Sequence, residues 1–405
     1  MNYYEYMINT FKNIKNKTKD IINRINESVK GKNNTTINSY NPLFKPIFKN
    51  EEKLENNSLK DGLNTTDRQY FEIYKLNNIN NAFYFTYQDK TKRLEILKYK
   101  FIDKSINKIN SLNLNSDILK IKYFFDEFNN KEYLFILLGF RELCIDIYQI
   151  ENENNYNKIN RYNLLVEEDS DLQSMRGLSI CDFEILYNEY LETNYFLVSY
   201  YYYIMGIKRA SIKKIKFLKF EDNECKLFNN YIFSDSTIND YKKIKITYKD
   251  KISEQYYLLV NYKNEIYKII ITNGILEERI KFDEAETNKI YGCVIYGQNY
   301  NDYLYLYDSM NILSIYDIKN KQSINKFKIL ENINSMLKWN DEYIIFGLKN
   351  SIYIFDTQLN KIITKYQIKD SLNENISSIK KIWIKDINFF SLFLEIDNKE
   401  LRLLY

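Results

Sequence analysis

The stretch SIYDIKNKQSINKFKI at 314–329 is written a second time, with substitutions, as YIFDTQLNKIITKYQI at 353–368. Each copy reads as a strand, a polar turn and a second strand, because β-branched and aromatic residues flank a cluster of Asp, Asn and Lys. Asp317 aligns with Asp356 at an offset of 39, with no gap through the hairpin. Ile315 then meets Ile354, Tyr316 meets Phe355, Ile324 meets Ile363, Phe327 meets Tyr366 and Ile329 meets Ile368. The same frame fits IYKIIITNGILEERIKF at an offset of 47, where Ile271 takes the place of Ile318 and Ile280 that of Phe327. It fits 145–164 with a three-residue turn insertion, Ile147-Tyr148 matching Ile315-Tyr316. Further on, INSMLKW ending at Trp339 matches SSIKKIW ending at Trp383, an offset of 44. Offsets of this size equal the length of one four-stranded propeller blade, about 40–45 residues. One small twisted sheet cannot cover both of its faces. Blades stacked radially bury each other, and a closed ring leaves only short edges.

From about residue 68 onward short apolar runs such as AFYFTY, EYLFILLGF and YIIFGL alternate with polar turns, with no long amphipathic helix between them. Strands without crossover helices predict an antiparallel all-β fold. Blade starts fall near 69, 118, 172, 243, 288, 333 and 377. The expectation is an all-β β-propeller over 68–405 with seven four-stranded blades, or six if the first serves only as a clasp. Residues 221–242 read as an insertion or a long edge strand. The chain stops at ELRLLY, in the third strand of the last blade, so the fourth strand must come from the N-terminal side. Two segments offer themselves, 38–48 (NSYNPLFKPIF) and the stretch just before residue 82.

Ahead of the propeller, residues 1–30 carry a helical period. Tyr4, Met7, Phe11, Ile14, Thr18, Ile21, Ile25 and Val29 recur by three and four and form one stripe. Such a helix, tethered outside a closed fold, is expected to bind a partner, as a short coiled coil or a helix laid in a groove. A membrane-surface helix is the other use of such a stripe. Residues 31–67, polar and holding Pro42 and Pro46, read as a flexible linker that contains the first of the two candidate closing segments.

Composition narrows the chemistry. The chain contains no His, which removes Ser-His-Asp and Cys-His catalysis and every imidazole metal ligand. Cys144, Cys181, Cys225 and Cys293 stand far apart, with no Cys-x-x-Cys pair to hold zinc. No cofactor or metal is therefore expected. A net charge of +4 over 405 residues demands no polyanionic partner. No run of eighteen apolar residues occurs, so no transmembrane segment is predicted. The N-terminus lacks the apolar core of a signal peptide, and free thiols suit a reducing compartment, so the expected location is cytoplasmic or nuclear. Abundant Asn, Lys, Ile and Tyr, with Ala only at 82, 210 and 285, reflect an AT-rich genome, that of a eukaryote or a large DNA virus.

The segment 333–368, INSMLKWNDEYIIFGLKNSIYIFDTQLNKIITKYQI, resembles a degenerate WD repeat, and the likeness extends over 288–370. Asp356 after Phe355, and Asp317 after Tyr316, stand where that family's Trp-Asp pair ends the third strand. The family's Gly-His pair has no counterpart in a chain without histidine. The resemblance implies a non-catalytic scaffold that binds other proteins on its rims, within a multiprotein complex.

Other candidates compete with this reading. KRASIKKIKFLK at 208–219 offers Lys208, Arg209, Lys213, Lys214 and Lys216 to the phosphates of an anionic lipid or a nucleic acid. The phosphoinositide-binding propellers of the autophagy type carry a double-arginine motif, and neither GFRE at Gly139 nor KRAS at Lys208 completes it. Asp317 and Asp356 read as turn residues, and together with Trp339 and Trp383 they mark equivalent positions of the repeat. A hydrolase using channel carboxylates is the least supported alternative, since no paired-acid motif stands out.

Overall fold

The computed structural model describes residues 45–54 and most of 69–405, leaving out short turns and the longer segments 55–68, 165–177, 188–194, 206–209, 236–243 and 282–290. The chain divides into two units, 1–41 and 42–405. The helix expected over 1–30 lies outside the described residues.

The second unit is built from seven antiparallel four-stranded sheets. Blade 1 comprises Gln69–Tyr74, Ala82–Gln88, Arg93–Lys100 and Ser105–Asn113. Blade 2 comprises Asp117–Asp126, Lys131–Gly139, Cys144–Asn152 and Asn155–Asn163. Blade 3 comprises Leu178–Tyr187, Tyr195–Met205, Ala210–Glu221 and Glu224–Asp235, so the stretch from 221 onward supplies a long edge strand. Blade 4 comprises Ile244–Lys249, Gln255–Val260, Glu265–Ile270 and Ile275–Lys281. Blade 5 comprises Tyr291–Tyr296, Asp302–Tyr307, Ile312–Asp317 and Gln322–Lys328. Blade 6 comprises Ser335–Lys338, Tyr343–Gly347, Ser351–Asp356 and Lys361–Gln367. Blade 7 comprises Ile376–Ile384, Phe389–Ile396 and Glu400–Leu404, completed by Glu51–Lys53 from the N-terminal side. Blade 1 is a complete blade, which excludes the count of six.

In each sheet the first strand lies at one edge and the fourth at the other, and first strands lie side by side from blade 1 to blade 3 and from blade 4 to blade 7. The middle strands are apolar on both faces because each face meets another blade. KEYLFILLG and SIYIFD are buried almost throughout. Blades 1 and 2 share a cluster containing Tyr84, Ile96, Ile121, Leu134 and Ile136. Blades 5 and 6 share Leu313, Ile344 and Phe346. Burial of this kind contributes about 25 cal/mol per Å² of apolar surface and is the main driving force of the fold.

The repeated hairpin carries a repeated irregularity. In each of blades 1 to 6 the third and fourth strands pair with one extra residue on the fourth: Ile109, Ile159, Phe228, Glu277, Ile324 and Ile363. A bulge twists an exposed edge away from flat pairing with another chain. The short turns need left-handed backbone, and in a chain with only nine glycines this falls mainly to Asn and Asp, as at Asn130, Asn311, Asn350 and Asn360.

Gly347 is set by a close approach. A Cβ there would lie 2.3 Å from Ser335 Oγ and 2.8 Å from Ile376 Cγ2. Ser335 Oγ donates at 2.8 Å to the carbonyl of Ile376 across the blade 6–7 junction and cannot give way freely. Gly347→Ala is expected to destabilise the fold by about 1–3 kcal/mol, the usual cost of overpacking. Thermal and urea unfolding check it.

The closing strand is Glu51–Lys53, downstream of 38–48, and the stretch before residue 82 serves blade 1 itself through pairs such as Tyr74 with Tyr84. Segment 45–54 fastens three blades. Phe48 is buried between Trp339 and Tyr366 of blade 6, with ring centroids at 5.8 and 5.4 Å. Glu51 Oε1 accepts from Arg402 Nη1 of blade 7 at 2.9 Å, both side chains being buried. Glu52, on the opposite strand face, accepts from Tyr99 Oη of blade 1 at 2.8 Å and pairs with Lys104 at 2.9 Å. Phe393, Leu401 and Leu403 of blade 7 pack with Phe83, Phe85 and Tyr99 of blade 1, so the last blade meets the first.

Candidate interaction surface

Among the described residues the large exposed apolar side chains are Ile47, Leu119, Leu227, Ile324, Leu330, Leu359 and Ile362. Four of these seven lie between 324 and 362, on the outer hairpins of blades 5 and 6 and the linker joining those blades. Leu330 is 93% exposed.

The linker that carries Leu330 is fixed at both ends. Ile329 and Ile333 are buried beneath it. Ile329 N donates to Asn311 O at 2.8 Å and Ile333 N donates to Tyr307 Oη at 2.8 Å. Between them, the Glu331 carboxylate accepts from Tyr353 Oη and, at 2.9 Å, from Lys365 Nζ. The Tyr353 hydroxyl first, then Lys365, hold the Glu331 carboxyl below the usual carboxylate range. Lys365 Nζ also donates to Tyr353 Oη at 2.8 Å and lies 4.9 Å from the centre of its ring. Leu330 is thus presented by a loop whose conformation is set before any partner arrives, the condition under which an apolar anchor loses least entropy on binding. In the next linker Ile368 answers to Ile329 and is buried, while Lys369 replaces Leu330. The signal for Leu330 was present in the repeat, as an apolar residue directly after a buried isoleucine where the other copy has a lysine.

The carboxylates of the repeat hold turns. Asp317 accepts from Asn320 N at 2.9 Å and Asn320 Nδ2 at 2.8 Å. Asp356 Oδ1 accepts from Gln358 N at 2.9 Å and Leu359 N at 2.8 Å, which fixes the turn that exposes Leu359. Trp339 is buried, with Lys381 Nζ 4.4 Å from its ring centre and 2.6 Å from its carbonyl oxygen. Burial, and secondarily Lys338, bring the Lys381 ammonium down to about 8. Trp383 lies in the first strand of blade 7, paired with Phe390.

The stripe of Tyr4, Met7, Phe11, Ile14, Ile21 and Ile25 lies outside the described residues, as do Lys208 and Arg209. Lys213, Lys214 and Lys216 fall in the third strand of blade 3, opposite Tyr202, Tyr201 and Ser199. Cys144 and Cys225 are buried, and burial pushes the Cys225 thiol up to about 12, away from the thiolate that metal binding requires. Among the described residues no helix is long and apolar enough to cross a membrane.

Seven radial sheets, a strand exchanged between the chain's two ends and turn-binding aspartates after the third strands define a WD-repeat-like β-propeller. No protein-family model matches the sequence, and no curated protein does. Solved structures do. Saccharomyces cerevisiae Sqt1 superposes at a TM-score of 0.52 with 8% identity, over 79% of this chain and 80% of that one. Chaetomium thermophilum Raptor gives 0.53 with 11% identity over 83% of this chain and 27% of Raptor. BBS1N, crystallised in complex with ARL6DN, gives 0.52 with 11% identity over 83% of this chain and 90% of BBS1N. At these identities the likeness is one of fold.

Proposed function

We propose that the protein is a non-catalytic propeller scaffold, cytoplasmic or nuclear, that binds another protein through the linker joining blades 5 and 6. The observation that carries this reading is Leu330, almost fully exposed on a linker pinned by Glu331, Tyr353 and Lys365. An isolated exposed leucine is ordinary; one held out on a braced loop has the character of an interface anchor. The fold neighbour BBS1N, solved in complex with ARL6DN, supports a binding role for this architecture. The apolar stripe of residues 4–29 would supply a second, separate contact.

Leu330→Asp tests it. The side chain touches little, so the melting temperature is expected to stay within about 2 °C, while recovery of the partner in quantitative affinity purification falls about tenfold or more, as for an interface hot spot. Undiminished recovery of every partner would refute the site. Flotation with anionic vesicles distinguishes the phosphate-binding alternative: the scaffold reading expects the protein to remain unbound at physiological salt.

A further inference from the structure

One position recurs at the end of the second strand, on the face turned toward the next blade, opposite an apolar residue early in the third strand. It is Gln88 opposite Leu94, Tyr307 opposite Leu313, Gly347 opposite Ile352 and Glu395 opposite Leu401. Where the residue is polar in blades 1 and 5, it binds the backbone leading into the next blade's first strand. Gln88 Oε1 accepts from Ile118 N at 3.2 Å, and Gln88 Nε2 donates to Ser116 O at 3.4 Å. Tyr307 Oη accepts from Ile333 N at 2.8 Å.

Glu395 stands at this position in the last blade, whose next neighbour is blade 1. Its Oε1 is buried and has no hydrogen-bond partner, and the buried Oγ of Ser391, further back on the same strand face, has none either. The other charged groups of this junction are already committed. Lys380 pairs with Glu72 of blade 1, and Glu52 is held by Tyr99 and Lys104. Glu95, on the face of blade 1 turned the same way, pairs with Lys108 at 2.5 Å, and Arg93 lies at the exposed start of that strand. Beside the rings of Tyr87 and Tyr99, the cluster that fills the junction consists of Ile73, Phe83, Phe85, Leu97, Phe393, Leu401 and Leu403. By contrast, the blade 6–7 junction contains Leu337, Ile345, Ile352, Leu392 and Leu394, and its buried Arg402 is neutralised by Glu51 and Glu400.

We propose that Glu395 makes the junction between the last and first blades a pH-dependent latch, closed most firmly while the carboxyl keeps its proton. A carboxylic acid tolerates this apolar seam far better than a carboxylate with no cation to meet. Burial raises Glu395 from the ordinary 4.5 to about 7. For a raised carboxyl the sign is fixed. Below about 4.5 both the closed and the open seam hold the proton and the latch is firmest. As pH rises to about 7 only the open form ionises, so closure weakens, and above 7 the loss is complete and constant.

Hydrogen exchange at pH 5 and pH 8, corrected for intrinsic rates, reads the opening directly. Protection of Glu51–Lys53 and Glu400–Leu404 is expected to fall on the order of 100-fold more in the wild type than in Glu395→Gln, whose side chain does not titrate. Ser391→Ala removes the neighbouring hydroxyl, keeps the carboxyl and should preserve the wild-type pH dependence. Equal pH dependence in wild type and Glu395→Gln, or its loss in Ser391→Ala, would overturn the proposal. The readout is independent of partner binding, so it stands or falls separately from the Leu330 site.

Discussion

Arg402→Met is expected to destabilise the propeller by about 3–5 kcal/mol, whereas Glu51→Leu combined with Arg402→Met recovers most of the loss. Arg402 and Glu51 are both nearly sealed from water, and they join the chain's last strand to the strand donated from its N-terminal side. Removing the arginine alone leaves the Glu51 carboxylate buried without its cation, and the penalty is chiefly that desolvated charge. Replacing both groups with apolar side chains removes the charge and the obligation together. Glu400 does not spoil the comparison, because it retains Lys53 at 3.0 Å when Arg402 is gone. A double-mutant cycle in urea measures the coupling. If Arg402→Met costs less than about 1 kcal/mol, as for an exposed pair, the clasp is not sealed in solution as it is in the structure.

Deleting residues 1–54 is expected to abolish the cooperative thermal transition or drive the protein into aggregates, while deleting residues 1–41 leaves the melting temperature within about 2 °C. The longer deletion removes Phe48, whose burial against Trp339 and Tyr366 is by itself worth about 3–5 kcal/mol, together with Glu51 and Glu52. It also bares the edge of Glu400–Leu404, a template for pairing with other chains. Size-exclusion chromatography and calorimetry separate the outcomes. A monomeric 1–54 deletion melting as the intact chain does would show that the ring closes without its donated strand. The same boundary governs any test of the N-terminal stripe: partner recovery must be compared in the 1–41 deletion, since a cut at 67 removes part of the propeller along with the arm.

The repeat alone determined the architecture of this protein. Ile315, Asp317 and Ile329 recur as Ile354, Asp356 and Ile368 because each blade must solve the same packing problem, two buried faces joined by tight polar turns. Alternation and turn chemistry are local, so one strand's sequence reveals them. What lay beyond reach was decided between blades. Leu330 and Lys369 occupy matching linkers, and only the bracing of Glu331 by Tyr353 and Lys365 shows the leucine held out on a rigid support. Glu51 with Arg402 meets across 351 residues, and Glu395 is unpaired because of what blade 1 fails to offer it. Local sequence fixes how a sheet forms and where it turns; the partners of a buried charge depend on which distant sheet closes over it, and that is settled by the ring as a whole.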